Sequence, residues 1–306
     1  YPDKTCYPVA SQSQQDFYNL VDVYLDAVFH PRLTPEVLKQ EGWHYEVDEE
    51  GTLSYKGVVF NEMKGANSSP ERVMAEHCQQ VLFPETTYGV DSGGYPLAIP
   101  DLTWEQFESF HQDYYHPSNA WIWFYGDDPE DRRLEILDEY LSEFDTRSAD
   151  SSVALQSRWS EPKTIEETYS VSEQDVDDDG GKCMVAVNWL LGEAADYETR
   201  LGLQILDYIL IGTSASPLRK ALIDSGLGED LTGGGMETEL REIFFSVGLK
   251  GVAQEDEKRV EALVIETLES LARDGIDQET IRASLNTVEF RLRENNTGSY
   301  PRGLIL

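Results

Sequence analysis

The sequence predicts an α+β protein built as two successive mixed domains. Three observations carry that expectation. The chain has 306 residues, more than one domain usually holds, and its 40% hydrophobic content with six Trp can fill more than one core. Both halves alternate helical apolar stripes with short strand-like runs, and between them, from Thr146 to Pro162, the periodicity fades into Ser, Asp and Arg. The expected division is a first unit over 1–148, a linker and acidic loop over 149–181, and a second unit over 182–306.

The first helix is expected over Gln14 to Val28, where Phe17, Leu20, Val21, Tyr24, Leu25 and Val28 recur at helical spacing before Pro31. A short helix near Pro35 to Gln40 leads into Trp43 to Val47. Leu53 to Phe60 reads as a strand, with Asn61 and Glu62 starting a new turn. Helices follow at Pro70 to Leu82 and Trp104 to Tyr115, the second opened by a Thr103–Gln106 capping box. The Trp- and Ile-rich run Ala120 to Tyr125 is a buried strand candidate, and Asp128 to Phe144 an acidic surface helix. Beyond a second acidic loop, Asp175 to Gly181, come a strand at Cys183 to Leu191, a mostly buried helix at Tyr197 to Ile211 and a strand at Ile243 to Leu249. Val260, Leu263, Val264, Thr267, Leu268 and Leu271 form one helical stripe, closed by Gly275 as a left-handed cap. Asp277 caps a last helix whose apolar face is Ile281, Leu285, Val288 and Leu292.

A net charge of −34 repels nucleic acid and anionic lipid, and no basic patch offsets it. Short cationic peptides suit such a field, organelle transit peptides being Arg-rich and poor in acids, but the preferred reading is the plainer one, that surplus acid keeps the surface soluble or reflects a saline habitat. No run of about 18 apolar residues occurs, so membrane insertion is not expected. The chain begins at Tyr1 without the basic and apolar regions of a signal peptide, so any targeting segment is expected to lie outside it. Cys6, Cys78 and Cys183 lack metal or disulfide spacing and read as small buried hydrophobes in a reducing compartment.

Several motifs invite a chemical reading. Val90 to Pro96, with Ser92 between Asp91 and Gly93, superficially resembles a serine-nucleophile segment, but a nucleophile needs an oriented His base, and a Gly-rich turn explains it better. Gly233-Gly234-Gly235 lacks the Lys-Ser or Lys-Thr of a phosphate loop and reads as a turn between strands. The sequons at Asn67 and Asn295 are read as unused. None of the five histidines forms H-x-x-E-H or H-E-x-x-H, so a complete zinc site of that kind is absent and no catalytic residue is assigned in this chain.

Many collinear segments carry a resemblance. They include Lys56-Gly57-Val58-Val59-Phe60-Asn61-Glu62-Met63-Lys64-Gly65, Gln40 to Glu46, Tyr115-His116-Pro117-Ser118-Asn119-Ala120, Phe124 to Asp128, Val187 to Leu191, Gly212 to Lys220 and Leu292 to Ser299. Through them the chain resembles the pitrilysin and insulinase type of zinc metallopeptidase, in its organellar, presequence-degrading branch. The resemblance implies a longer parent of four related α+β domains closing around a peptide chamber, of which this chain holds the later part of the first and most of the second. It implies that Glu62 is the third zinc ligand. The H-x-x-E-H helix would lie upstream of Tyr1, and the Arg and Tyr that assist the substrate carbonyl beyond Leu306. Two imidazoles and a carboxylate leave an open zinc position for water and a peptide carbonyl. Glu41 and His44 are candidates to support the metal-bearing helix. The implied activity is endoproteolysis of short unfolded peptides in a mitochondrial matrix or plastid stroma, or in the cytoplasm of a bacterium, with the remaining half of the polypeptide as partner and the isolated chain inactive. The alternative is a non-catalytic scaffold or peptide-binding subunit.

Overall fold

In the first half, local sequence decides most helix boundaries. The computed structural model describes residues 1–170 and 182–304; the expected acidic loop Asp175–Gly181 lies outside them. Helix α1 (Gln14–Phe29) is capped by Ser13, whose side chain accepts the Asp16 N–H, and it buries Val21, Leu25 and Phe29. That stripe packs with Ile136 of α6 (Glu130–Leu141), and Tyr140 Oη donates to Asp22 Oδ1 at 2.6 Å. A short helix α2 (Pro35–Val37), capped by Thr34, runs into a π-helical turn over Leu38–Gly42. The hairpin β1 (His44–Val47) and β2 (Leu53–Lys56) follows, pairing His44 with Lys56.

The expected strand Leu53 to Phe60 stops at Lys56. Gly57 adopts φ 145°, and a Cβ there would stand 2.1 Å from the Gly42 carbonyl oxygen. Only glycine passes so close to another backbone at that angle. The chain then turns into α3 (Val58–Ala66), burying Phe60 and Met63 against Ile99 and Trp43. Helix α4 (Pro70–Leu82) starts from Ser69, whose Oγ accepts the Arg72 N–H. Helix α5 (Trp104–Tyr114) shows both bonds of the Thr103–Gln106 capping box.

The second half is built on an antiparallel sheet in the order β3 (Lys182–Glu193), β5 (Glu242–Ala253), β4 (Asp230–Glu237). Central β5 buries Ile243, Phe245, Val247, Leu249 and Val252. Against it pack Leu218 and Leu222 of α8 (Pro217–Asp224), and Val260 and Val264 of α9 (Glu257–Asp274). Helix α7 (Tyr197–Ile211) adds Leu210, and α10 (Gln278–Glu294), capped by Asp277, packs on α7. The halves meet where α4 lies on β3: Leu82, Phe83 and Tyr88 enclose Leu240, with Val153, Leu190 and Phe244 around them.

Several expectations need correction. Ala120–Tyr125 is not a buried strand: it pairs with no described strand, and Trp121 is 100% exposed. A strand-like pattern reports a side-chain preference, but a ladder needs a neighbour to bond to. Gly233 and Gly235 sit inside β4 rather than in a turn, with φ 81° and 72° at a bulge opposite Ser246. Helix α7 exposes Tyr197, Leu201 and Leu206, and α10 exposes Leu285 and Leu292, because no described element covers those faces. Cys6 is exposed, and Cys78 and Cys183 are half-buried. Gly275 takes φ 82° with ψ 169°, a positive-φ cap but not a left-handed helical one.

Candidate functional site

Glu62 projects from the second turn of α3 and is exposed. Val58 and Val59, four and three residues earlier, share its exposed face. Phe60 and Met63 face the core and hold the helix. Among the described residues Glu62 makes no hydrogen bond or ion pair, so its carboxylate is uncommitted. The geometry therefore places one carboxylate on a rigid helix with an apolar flank.

The two proposed supports lie at the turn before β1. Glu41 is exposed and accepts from Gln40 Nε2 at 2.8 Å. His44 Nδ1 stands 2.6 Å from the Lys39 carbonyl oxygen, so that nitrogen carries the proton. Gly42, between them, is the residue whose carbonyl Gly57 crosses, so this turn and the start of α3 share one junction. Sequence order alone does not reveal that closeness.

Donor chemistry decides what Glu62 fits. A carboxylate oxygen is a zinc ligand, and this one is unengaged, so it suits one position of a zinc centre. Among the described residues no group of three or more His, Cys, Asp or Glu side chains is arranged to hold a metal ion. No hydrolytic step is assigned to the described residues. His116 is occupied elsewhere: its Nδ1 accepts the Ser118 N–H, and burial together with the Arg147 charge lowers its pKa. Ser92 is exposed, and no hydrogen bond links it to a histidine among the described residues, which leaves a turn.

Two charged clusters went unnoticed in the sequence. Arg72 stands 3.3 Å from Glu76 and 3.5 Å from Asp91, whose side chain is only 2% exposed. The available signal was Asp91 just before Gly93-Gly94, a pattern in which an Asp side chain accepts a backbone N–H two residues on. The second cluster surrounds Asp207 of α7, in a cleft lined also by Tyr208, Met236 and Arg291. Asp207 Oδ1 accepts the Met236 N–H at 3.0 Å, the Arg291 guanidinium lies over the Tyr208 ring, and burial raises the Asp207 pKa although the Met236 bond opposes it.

That shift has a consequence for stability. Folded Asp207 holds its proton more tightly than unfolded Asp207, so stability falls as pH rises from the ordinary Asp range through the raised value. Asp207→Asn keeps the acceptor oxygen and removes the charge. The variant is expected to be more stable than the wild type at neutral pH and to lose that advantage below the ordinary Asp range, as urea midpoints measured across pH would show.

Residues 101–288 match the family profile described as the peptidase M16 inactive domain. Over its whole length the chain is 53% identical to presequence protease 1, chloroplastic/mitochondrial, of Arabidopsis thaliana, covering 29% of that protein. This chain belongs to the M16 peptidase family. Its resemblance to the pitrilysin type thus rests on sequence as well as on fold. A second M16 relative, the mitochondrial presequence protease of Xenopus tropicalis, is 40% identical over 96% of this chain and 29% of its own length. The M16 fold itself appears in the peptidase M16 inactive domain of Pseudomonas fluorescens, with a TM-score of 0.67 at 16% identity over 96% of this chain and 64% of that one. The chain spans less than a third of the length of these curated M16 relatives. No helix among the described residues is long and apolar enough to cross a membrane.

Proposed function

We propose that this chain is part of a zinc metalloendopeptidase that degrades short unfolded peptides, spent organelle targeting peptides among them. In this reading it supplies the third zinc ligand, Glu62, and part of the chamber wall. The observation that carries it is the pose of Glu62: an unengaged carboxylate on an anchored helix, flanked by exposed Val58 and Val59 as a contact face for another element. When bound, zinc would acidify a water and polarise the peptide carbonyl. The chain's own part is to present the carboxylate and to attract cationic peptide through its charge of −34. The remaining polypeptide completes the site, with 1–148 belonging to the first peptidase domain, 149–181 linking, and 182–306 belonging to the second. The relatives' names support a mitochondrial matrix or plastid stroma for a eukaryotic parent; a bacterial one would act in the cytoplasm.

The isolated chain is expected to retain no stoichiometric zinc after exhaustive dialysis and to leave a basic unfolded peptide uncut. One tightly held zinc per chain, by elemental analysis, would overturn the reading. A non-catalytic scaffold is the second reading, favoured by the match of 101–288 to a domain described as inactive. The gene decides between them: the peptidase requires H-x-x-E-H about a hundred residues before Glu62, and its absence leaves the scaffold.

A further inference from the structure

The ion pair between Arg72 and Asp91 is poorly made for a stabilising contact. Arg72 is shared with Glu76, and at 3.3 and 3.5 Å it approaches neither carboxylate at the roughly 2.8 Å of a good charged hydrogen bond. Arg72 Nε and Asp91 Oδ2 are buried without a hydrogen-bond partner among the described residues. Replacing such a pair by apolar side chains often costs a protein nothing, so stability is a weak account of it.

Its position gives a better one. Asp91 Oδ1 accepts the Gly93 N–H at 2.9 Å, and the Asp91 carbonyl accepts the Gly94 N–H at 3.0 Å, which fixes the 91–94 turn. That turn is the floor under α3. A Cβ on Gly93 would stand 2.5 Å from Met63 Sδ, and one on Gly94 would stand 3.0 Å from Ile99 Cγ1. Met63 and Ile99 belong to the cluster that anchors α3, and Met63 immediately follows Glu62. Arg72 itself stands in the first turn of α4, joined to α3 by Asn67, Ser68 and Ser69, and Asn67 Nδ2 bonds back to the Met63 carbonyl at 3.0 Å. The brace therefore spans from the helix that follows α3 to the turn beneath it.

We infer that Arg72 and Asp91 are positioning residues for Glu62, locking the 91–94 turn against Met63 so that α3 presents its carboxylate in one orientation. The inference rests on the ligand role proposed for Glu62. Glu76 competes for the same guanidinium and loosens the brace.

The test uses the full-length metallopeptidase, with zinc affinity read by competition against a chromophoric chelator. Asp91→Asn is expected to weaken zinc by about tenfold, the lower end of what partners of metal ligands contribute. Glu71→Gln, which breaks the exposed pair with Lys250 on the same helix turn, is expected to leave it unchanged. Glu76→Gln returns Arg72 to Asp91 and is expected to hold zinc at least as tightly as the wild type. If Asp91→Asn fails to fold, Gly93→Ala carries the same expectation, because it displaces Met63 without touching a charge. A folded Asp91→Asn or Gly93→Ala protein with wild-type zinc affinity overturns the inference, as does a loss in Glu71→Gln equal to theirs. If Glu62→Gln itself leaves affinity unchanged, it is the ligand reading that falls.

Discussion

On the function proposed above, Glu62→Gln in the full-length protein is expected to lower peptide hydrolysis at least about a hundredfold, since even the partners of metal ligands are worth about ten- to a hundredfold. The expectation is sharp because the side chain is exposed and engages no other described residue, so folding stability should move by no more than about 0.5 kcal/mol. A neutral amide oxygen is a weaker zinc ligand than a carboxylate, and the loss should appear in zinc content as well as in rate. Matched thermal unfolding of the metal-free proteins separates this from misfolding. Unaltered hydrolysis and zinc content in the variant would remove Glu62 from the site.

The largest stability effect is expected at Glu242, on the junction between the halves. Its side chain is 2% exposed, and Oε2 accepts the Gln156 N–H at 2.6 Å. Gln156 is itself buried, and its Oε1 accepts the Glu85 N–H at 3.1 Å. One carboxylate thus pins the linker to β5 and, through Gln156, to the segment after α4. Glu242→Ala leaves a buried N–H unpaired and opens a void, and should cost about 2–4 kcal/mol. Arg158, the cation 3.4 Å from Glu242, is half-exposed, so Arg158→Ala should cost only about 0.5–1 kcal/mol. Urea denaturation of the two variants checks the contrast, and hydrogen exchange should show the Glu242→Ala loss concentrated over residues 153–158. Equal effects from both would mean that Arg158, and not the Gln156 amide, is the partner that matters.

Helices were the legible part of the fold, for a local reason. The stripes of α1 and α9 and the capping box at Thr103 and Gln106 are set by residues three and four apart, and the structure keeps them except for Tyr24 of α1, which is exposed. Strand expectations held in β3 and β5, stopped short at Lys56, missed β4, and failed at Ala120–Tyr125, where no described partner exists. Gly57 shows the limit most clearly. Within its own segment it interrupts an apolar run only mildly, and the carbonyl it must pass belongs to Gly42.

The candidate site divides in the same way. Residue order alone carried the family resemblance and nominated Glu62, because a collinear pattern is a property of the chain and needs no coordinates. What lies around Glu62 was settled by tertiary structure: the outward pose of α3, the Asp91 turn beneath Met63 and the Gly42–Gly57 crossing; so, away from it, was the Glu242–Gln156 clasp between residues 86 apart. Those contacts join residues distant in sequence, and each depends on burial and close approach that hydrophobic periodicity, a short-range signal, does not encode.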